Sequence, residues 1–83
     1  MNKKPAPRTI HRIEALHLLE DGRQHRLRLW KLQTGDVLCY PCATCIGKHT
    51  RGGTHRVRLS PSGEIRALRD VCLFEIDNRQ IYW

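Results

Sequence analysis

Eighty-three residues set the scale of one small domain, and 40% apolar with 28% charged residues describe a chain that folds in water rather than a disordered or membrane-spanning one. Fifteen Lys and Arg oppose eight Asp and Glu, leaving +7, and 11 of the 15 cations are Arg, whose planar fork matches phosphate, so an anionic partner is expected. A large enzyme is excluded, and at this size only about 60% of the unfolded surface can be buried, so one thin core must hold the chain.

The charge excess is local. Residues 1–21 carry +1, residues 22–63 carry +7 and residues 64–83 carry −1. Residues 1–8, with two prolines and three cations, read as a disordered basic tail, leaving residues 9–83 as a single small β domain. No apolar run of signal-peptide length follows the tail, which places the protein in the cytoplasm, where its four cysteines are expected to be reduced.

Along the chain, Thr9 stands as a candidate N-cap before Ile10, Ile13, Leu16 and Leu19 at helical spacing, yet Leu16 and Leu18 also alternate as in a strand. Asp21-Gly22, a two-residue hairpin signal, favours a strand over 14–19 with Leu16 opposite Leu27; a short N-terminal helix is the alternative. His25, Leu27 and Leu29 then alternate with Arg26, Arg28 and Trp30, and Gly35-Asp36 turns the chain into Val37-Leu38-Cys39-Tyr40. His55 to Leu59 repeats the alternation with Arg56 and Arg58 on the even positions, and a short strand over 64–66 follows the turn at Pro61-Ser62-Gly63. Val71 to Ile76, apolar apart from Glu75, reads as a strand buried on both faces. A last hairpin with Asn78-Arg79 as its loop pairs Ile76 with Ile81 and Phe74 with Trp83. Five or six short antiparallel strands with no long helix predict an all-β fold, an SH3-like barrel or a β-roll.

Two constellations carry chemistry. Cys39-x2-Cys42-x2-Cys45, with His49 and Cys72, offers thiolate and imidazole ligands for zinc, although no second Cys-x2-Cys or His-x3-His pair completes a structural pattern. Buried reduced cysteines are the alternative, and on a continuous strand Cys42 would point away from Cys39 and Cys45. The second constellation is a basic face. With odd positions buried on both strands, Arg26, Arg28, Trp30, Arg56 and Arg58 project from one side of a sheet, and Lys48 and Arg51 stand in the Gly-rich loop between. Cations that track a phosphate backbone beside an aromatic stacking platform suit nucleic acid, DNA or RNA; a merely solvated face is the alternative. The histidines at 11, 17, 25, 49 and 55 show no nucleophile or acid partner at a recognised spacing, so no catalytic residue is assigned.

Ser62-Gly63-Glu64-Ile65-Arg66, Arg69-Asp70-Val71, Phe74-Glu75-Ile76-Asp77-Asn78 and the Gly35-Asp36 turn together give residues 25–83 a resemblance to small uncharacterised β-rich proteins encoded in mobile elements and phage-related regions of gut anaerobes. The resemblance implies a compact β domain and no reaction. Cys39 and Cys42 depart from that family's pattern, so a metal site is not implied by it. Non-catalytic nucleic-acid binding is the expected function, with a protein-interaction module, stabilised by zinc in one version, as the alternative.

Overall fold

A computed structural model describes residues 8–83, so the expected basic tail lies outside the described residues apart from Arg8. A seven-stranded mixed sheet and one short helix make up the fold. The elements are β1 (Thr9–His11), α1 (Arg12–Leu19), β2 (Gln24–Trp30), β3 (Val37–His49), β4 (Thr54–Leu59), β5 (Ile65–Arg69), a 3-10 turn (Asp70–Cys72), β6 (Leu73–Ile76) and β7 (Arg79–Tyr82). The spatial order is β1-β7-β6-β2-β3-β4-β5, with β1 parallel to β7 and every other pair antiparallel. Among the described residues no pairing joins β5 back to β1, so the sheet is not a closed barrel. No described helix is long and apolar enough to cross a membrane.

The segment 14–19 is helix, not the favoured strand. His11 caps it through Nδ1, which accepts from the Ile13 amide at 3.1 Å, and Ala15 and Leu19, four residues apart, bury the same side. Asp21-Gly22 ends this helix instead of turning a hairpin. Gly22 adopts φ +83°, and the Asp21 carboxylate accepts from the Arg23 amide at 2.8 Å, so the residues that suit a type I′ turn serve here as a helix exit. Leu16 therefore does not face Leu27, whose strand neighbours are Tyr40 and Ile76.

Alternation on β2 and β4 holds. Leu27, Leu29 and Val57 enter a core shared with Ile10, Ala15, Leu19, Ala43, Leu68, Leu73 and Ile76, while Arg56 and Arg58 are exposed. Burying side chains of this size stabilises by about 1.5–3 kcal/mol each. β3 is far longer than its Val37–Tyr40 start because two bulges keep it paired: one extra residue lies between Tyr40 and Ala43, and Ile46 is the second.

Two further expectations change. Val71 is 63% exposed in the 3-10 turn, so the buried strand shrinks to Leu73–Ile76, with Leu73 and Ile76 inside and Phe74 and Glu75 half-buried. The last hairpin turns on Asp77-Asn78, both with positive φ (49° and 66°), which pairs Ile76 with Arg79 rather than Ile81. Asp and Asn tolerate the left-handed region that a two-residue primed turn needs, and Arg79 does not gain from it.

Candidate functional site

Residues opposite one another in an antiparallel ladder share a face. Arg28 pairs with Cys39, Arg58 with Thr44 and Arg56 with Gly47, so β2 and β4 flank β3 and turn their arginines to the outer side of one sheet. The first β3 bulge makes this so. Without its extra residue, the parity of β3 would turn the partner of Arg58 into the core.

The two arginine pairs meet different company. Arg26 donates to Glu75 Oε2 at 3.2 Å and to Asn78 Oδ1 at 2.8 Å, while Arg28 donates to Glu75 Oε1 at 3.1 Å and lies 5.4 Å from the Phe74 ring centre. Glu75, its side chain only 12% exposed, thus holds both guanidiniums. Trp30 stays on the outer side, half-exposed and leaning on Phe74 with ring centres 4.9 Å apart. On the other flank, Arg51, Arg56, Arg58 and Arg69 are exposed, and none is joined to a carboxylate among the described residues. Arg69 extends the strip because it pairs with Thr54, as Arg56 pairs with Ala67. Sequence reading missed Arg69, since a five-residue strand with one buried side chain shows no clear alternation.

Lys48 is placed differently from the other loop cation. It pairs with His55 across the hairpin and its Nζ donates to Glu20 Oε1 at 3.2 Å, which draws it towards α1 and away from Arg56. Arg51 remains at the hairpin tip.

The cysteine constellation does not assemble. Cys39 is exposed on the outer side, whereas Cys45 pairs with Val57, packs against the core and donates to the Gly47 carbonyl at 3.5 Å. The bulge between them puts Cys39 and Cys45 on opposite faces, although unbroken alternation would have placed them together. His49 accepts from the Gly52 amide at 3.1 Å, an approach that a Cβ on Gly52 would obstruct at 2.7 Å. Cys72 is buried in the core, and among the described residues no three His, Cys, Asp or Glu groups form a metal-holding cluster.

Two histidines prove to be structural centres. His25, 5% exposed, has Nδ1 2.6 Å from Asp77 Oδ2 and Nε2 2.9 Å from Asp21 Oδ1. His55, 3% exposed, has Nδ1 2.6 Å from Asp70 Oδ1 and Nε2 2.6 Å from Glu20 Oε2. Each ring bridges two carboxylates, and a doubly protonated ring donates to both. Burial is the largest single influence on His25 and pulls its pKa down, but Asp21 and Asp77 together outweigh it and the net shift is upward. The His25 hydrogen bond, helped by the Arg23 amide, lowers Asp21; Glu20 is lowered chiefly by His55, against an opposing desolvation and with help from Lys48. Sequence reading assigned these histidines no acid partner: Asp21 lies only four residues from His25, but the other partners lie 15 to 52 residues away.

Between α1, the β3–β4 hairpin and the 3-10 turn lies a cleft of roughly 350 Å³, with His55 in its lining. Compared with protein-family models, curated proteins and solved structures, the chain matches none.

Proposed function

We propose that the protein is a non-catalytic nucleic-acid-binding module whose principal contact is the arginine strip on the outer side of β4 and β5 and at the tip of the β3–β4 hairpin. The observation that carries this reading is the pair Arg56 and Arg58, side by side on one exposed strand face and free of carboxylate partners among the described residues. The Cα atoms of alternate strand positions stand about 7 Å apart, so Arg56 and Arg58 present two guanidiniums along one line to the phosphates of a strand, and Arg51 and Arg69 widen the strip. Trp30, half-exposed on the same outer side, supplies a stacking platform that favours unpaired bases.

The two buried histidines offer no catalytic base. Both ring nitrogens of His25 and of His55 already face carboxylates, so neither ring has a nitrogen free to take a proton from a nucleophile. The SH3-like reading is kept for β2–β6 alone, supported by their order β6-β2-β3-β4-β5 and by the 3-10 turn that leads the chain back to β2. A role in the upkeep or control of a mobile element, in the cytoplasm, fits the same ligand class.

Fluorescence anisotropy with labelled single- and double-stranded DNA and RNA at two salt concentrations tests the proposal. Saturable binding that weakens with salt supports it, and absence of binding at low salt overturns it. The second reading is a protein-interaction module, favoured by the exposure of Tyr82 and Trp83 at the end of the last hairpin. Mass that rises with protein concentration would support self-association through that end.

A further inference from the structure

The cleft beside His55 joins two kinds of surface. Ile13 and Leu16 of α1 line its apolar part with Val71 and Trp83, and Trp83, 65% exposed, carries the Arg12 guanidinium 4.3 Å from its ring centre. The polar part is built from Glu20, His55 and Asp70, with Lys48 beside them. The lining sets two carboxylates, Glu20 and Asp70, against two cations, Arg12 and Lys48, so it has little net charge to offer an ion. Glu20 uses both oxygens, on Lys48 and His55, whereas Asp70 uses Oδ1 on His55, and no donor among the described residues occupies its Oδ2. A flat, neutral, partly apolar ligand bearing an N–H donor matches these walls and this acceptor.

The cleft also adjoins the arginine strip. Thr50 and Gly53 line it, and Arg51 stands between them at the hairpin tip. His55 in the cleft and Arg56 on the strip point to opposite sides of β4, so a strand with phosphates on Arg56 reaches the cleft mouth by crossing the hairpin tip at Arg51.

We propose that this cleft seats one unpaired nucleobase of the bound strand, stacked against Trp83 and recognised at an exocyclic amino group by Asp70. The proposal rests on the nucleic-acid reading and adds to it a base-reading site and a preference. Adenine and cytosine carry the amino donor; uracil presents carbonyl oxygens in its place and leaves the Asp70 oxygen facing an acceptor.

The test compares eight-nucleotide RNA strands of adenine, cytosine or uracil with a base-free sugar-phosphate strand of equal length. It uses the wild-type chain, Trp83→Ala and Val71→Gln, the last two being exposed positions outside the core, with melting curves to verify folding. Wild type is expected to bind the adenine and cytosine strands about tenfold more tightly than the uracil strand, and the base-free strand most weakly. Both variants are expected to remove the preference for adenine and cytosine while leaving the base-free strand unchanged. Equal binding of all four strands by wild type overturns the base site and leaves the arginine strip standing. A base preference that survives in both folded variants likewise overturns it and assigns the bases to another surface, such as Trp30. Failure of every strand to bind at low salt overturns the nucleic-acid reading and this inference together.

Discussion

Arg26 and Arg28 on β2 and Arg56 and Arg58 on β4 have the same sequence spacing and the same outward direction, yet the first pair is held and the second is free. The difference comes from the neighbouring strand. β2 lies beside β6, whose register from Ile76 opposite Leu27 puts Glu75 opposite Arg28, whereas β4 lies between β3 and β5, which offer Thr44, Gly47, Ile65 and Ala67. An alternating Arg-x-Arg strand thus keeps its guanidiniums unpaired only where no carboxylate strand lies alongside. A guanidinium already paired with a carboxylate must give up that partner before it meets phosphate, so the two pairs should differ in function and in stability.

The largest effect is expected from Arg56→Ala with Arg58→Ala. Affinity for single strands should fall about tenfold or more at low salt, and the dependence of log K on log salt should flatten by about 1.4, two phosphate contacts' worth. Arg26→Ala with Arg28→Ala should reduce affinity less and stability more, because it leaves Glu75 half-buried without its partners. An equal loss of affinity from both doubles would break the comparison.

His25 extends the contrast to a cation held on both sides. Its pKa is raised above 6.5, so its contribution to stability is fully present below about pH 6.5 and is lost as pH rises through the folded value. Asp21, whose pKa is lowered from 3.8, contributes above that value and loses its contribution as pH falls. The melting temperature should therefore peak between about pH 4 and 6.5 and decline above about pH 6.5. His25→Gln should lower stability by about 1–3 kcal/mol and remove most of the alkaline decline, measured by denaturant unfolding across pH.

Glu75→Gln sharpens the comparison from the other direction. It should free the β2 pair, raise affinity for single strands a few-fold and cost about 1 kcal/mol of stability. The smallest effect is expected from Asn78→Gly. Glycine suits the positive φ at least as well, but Arg26 loses one acceptor, so stability should move by less than about 0.5 kcal/mol in chemical denaturation.

Where burial is one-sided, sequence was a good guide. β2 and β4 were legible because a strand with one buried face writes that face into every second residue. α1 was not, since Ile13, Leu16, Leu18 and Leu19 are spread around the helix and the Asp21-Gly22 pair has two uses. The outer placement of the four strand arginines was readable, but the partner that neutralises half of them was not: a single Glu in an apolar run gives no sign of its register. The faces of the cysteines were hidden for a related reason. Alternation counted through Pro41-Cys42 assumes a regular strand, and a bulge reverses the parity of everything beyond it. The histidine bridges depend on chain-distant acids, which no local pattern announces.

Glu20 and Asp21 are neighbours in the chain, yet one grips His55 on β4 and the other His25 on β2, two strands that do not pair directly with each other. A single peptide unit therefore acts as a calliper across β3, setting the separation of its two flanking strands from outside the sheet. That span of β3, from Ala43 to Lys48, holds the bulge at Ile46, which keeps Thr44 and Gly47, the partners of Arg58 and Arg56, on one face. The alignment of the arginine strip with Trp30 is thus gauged by two consecutive acids at the end of an eight-residue helix, and an insertion between them would spoil both jaws at once.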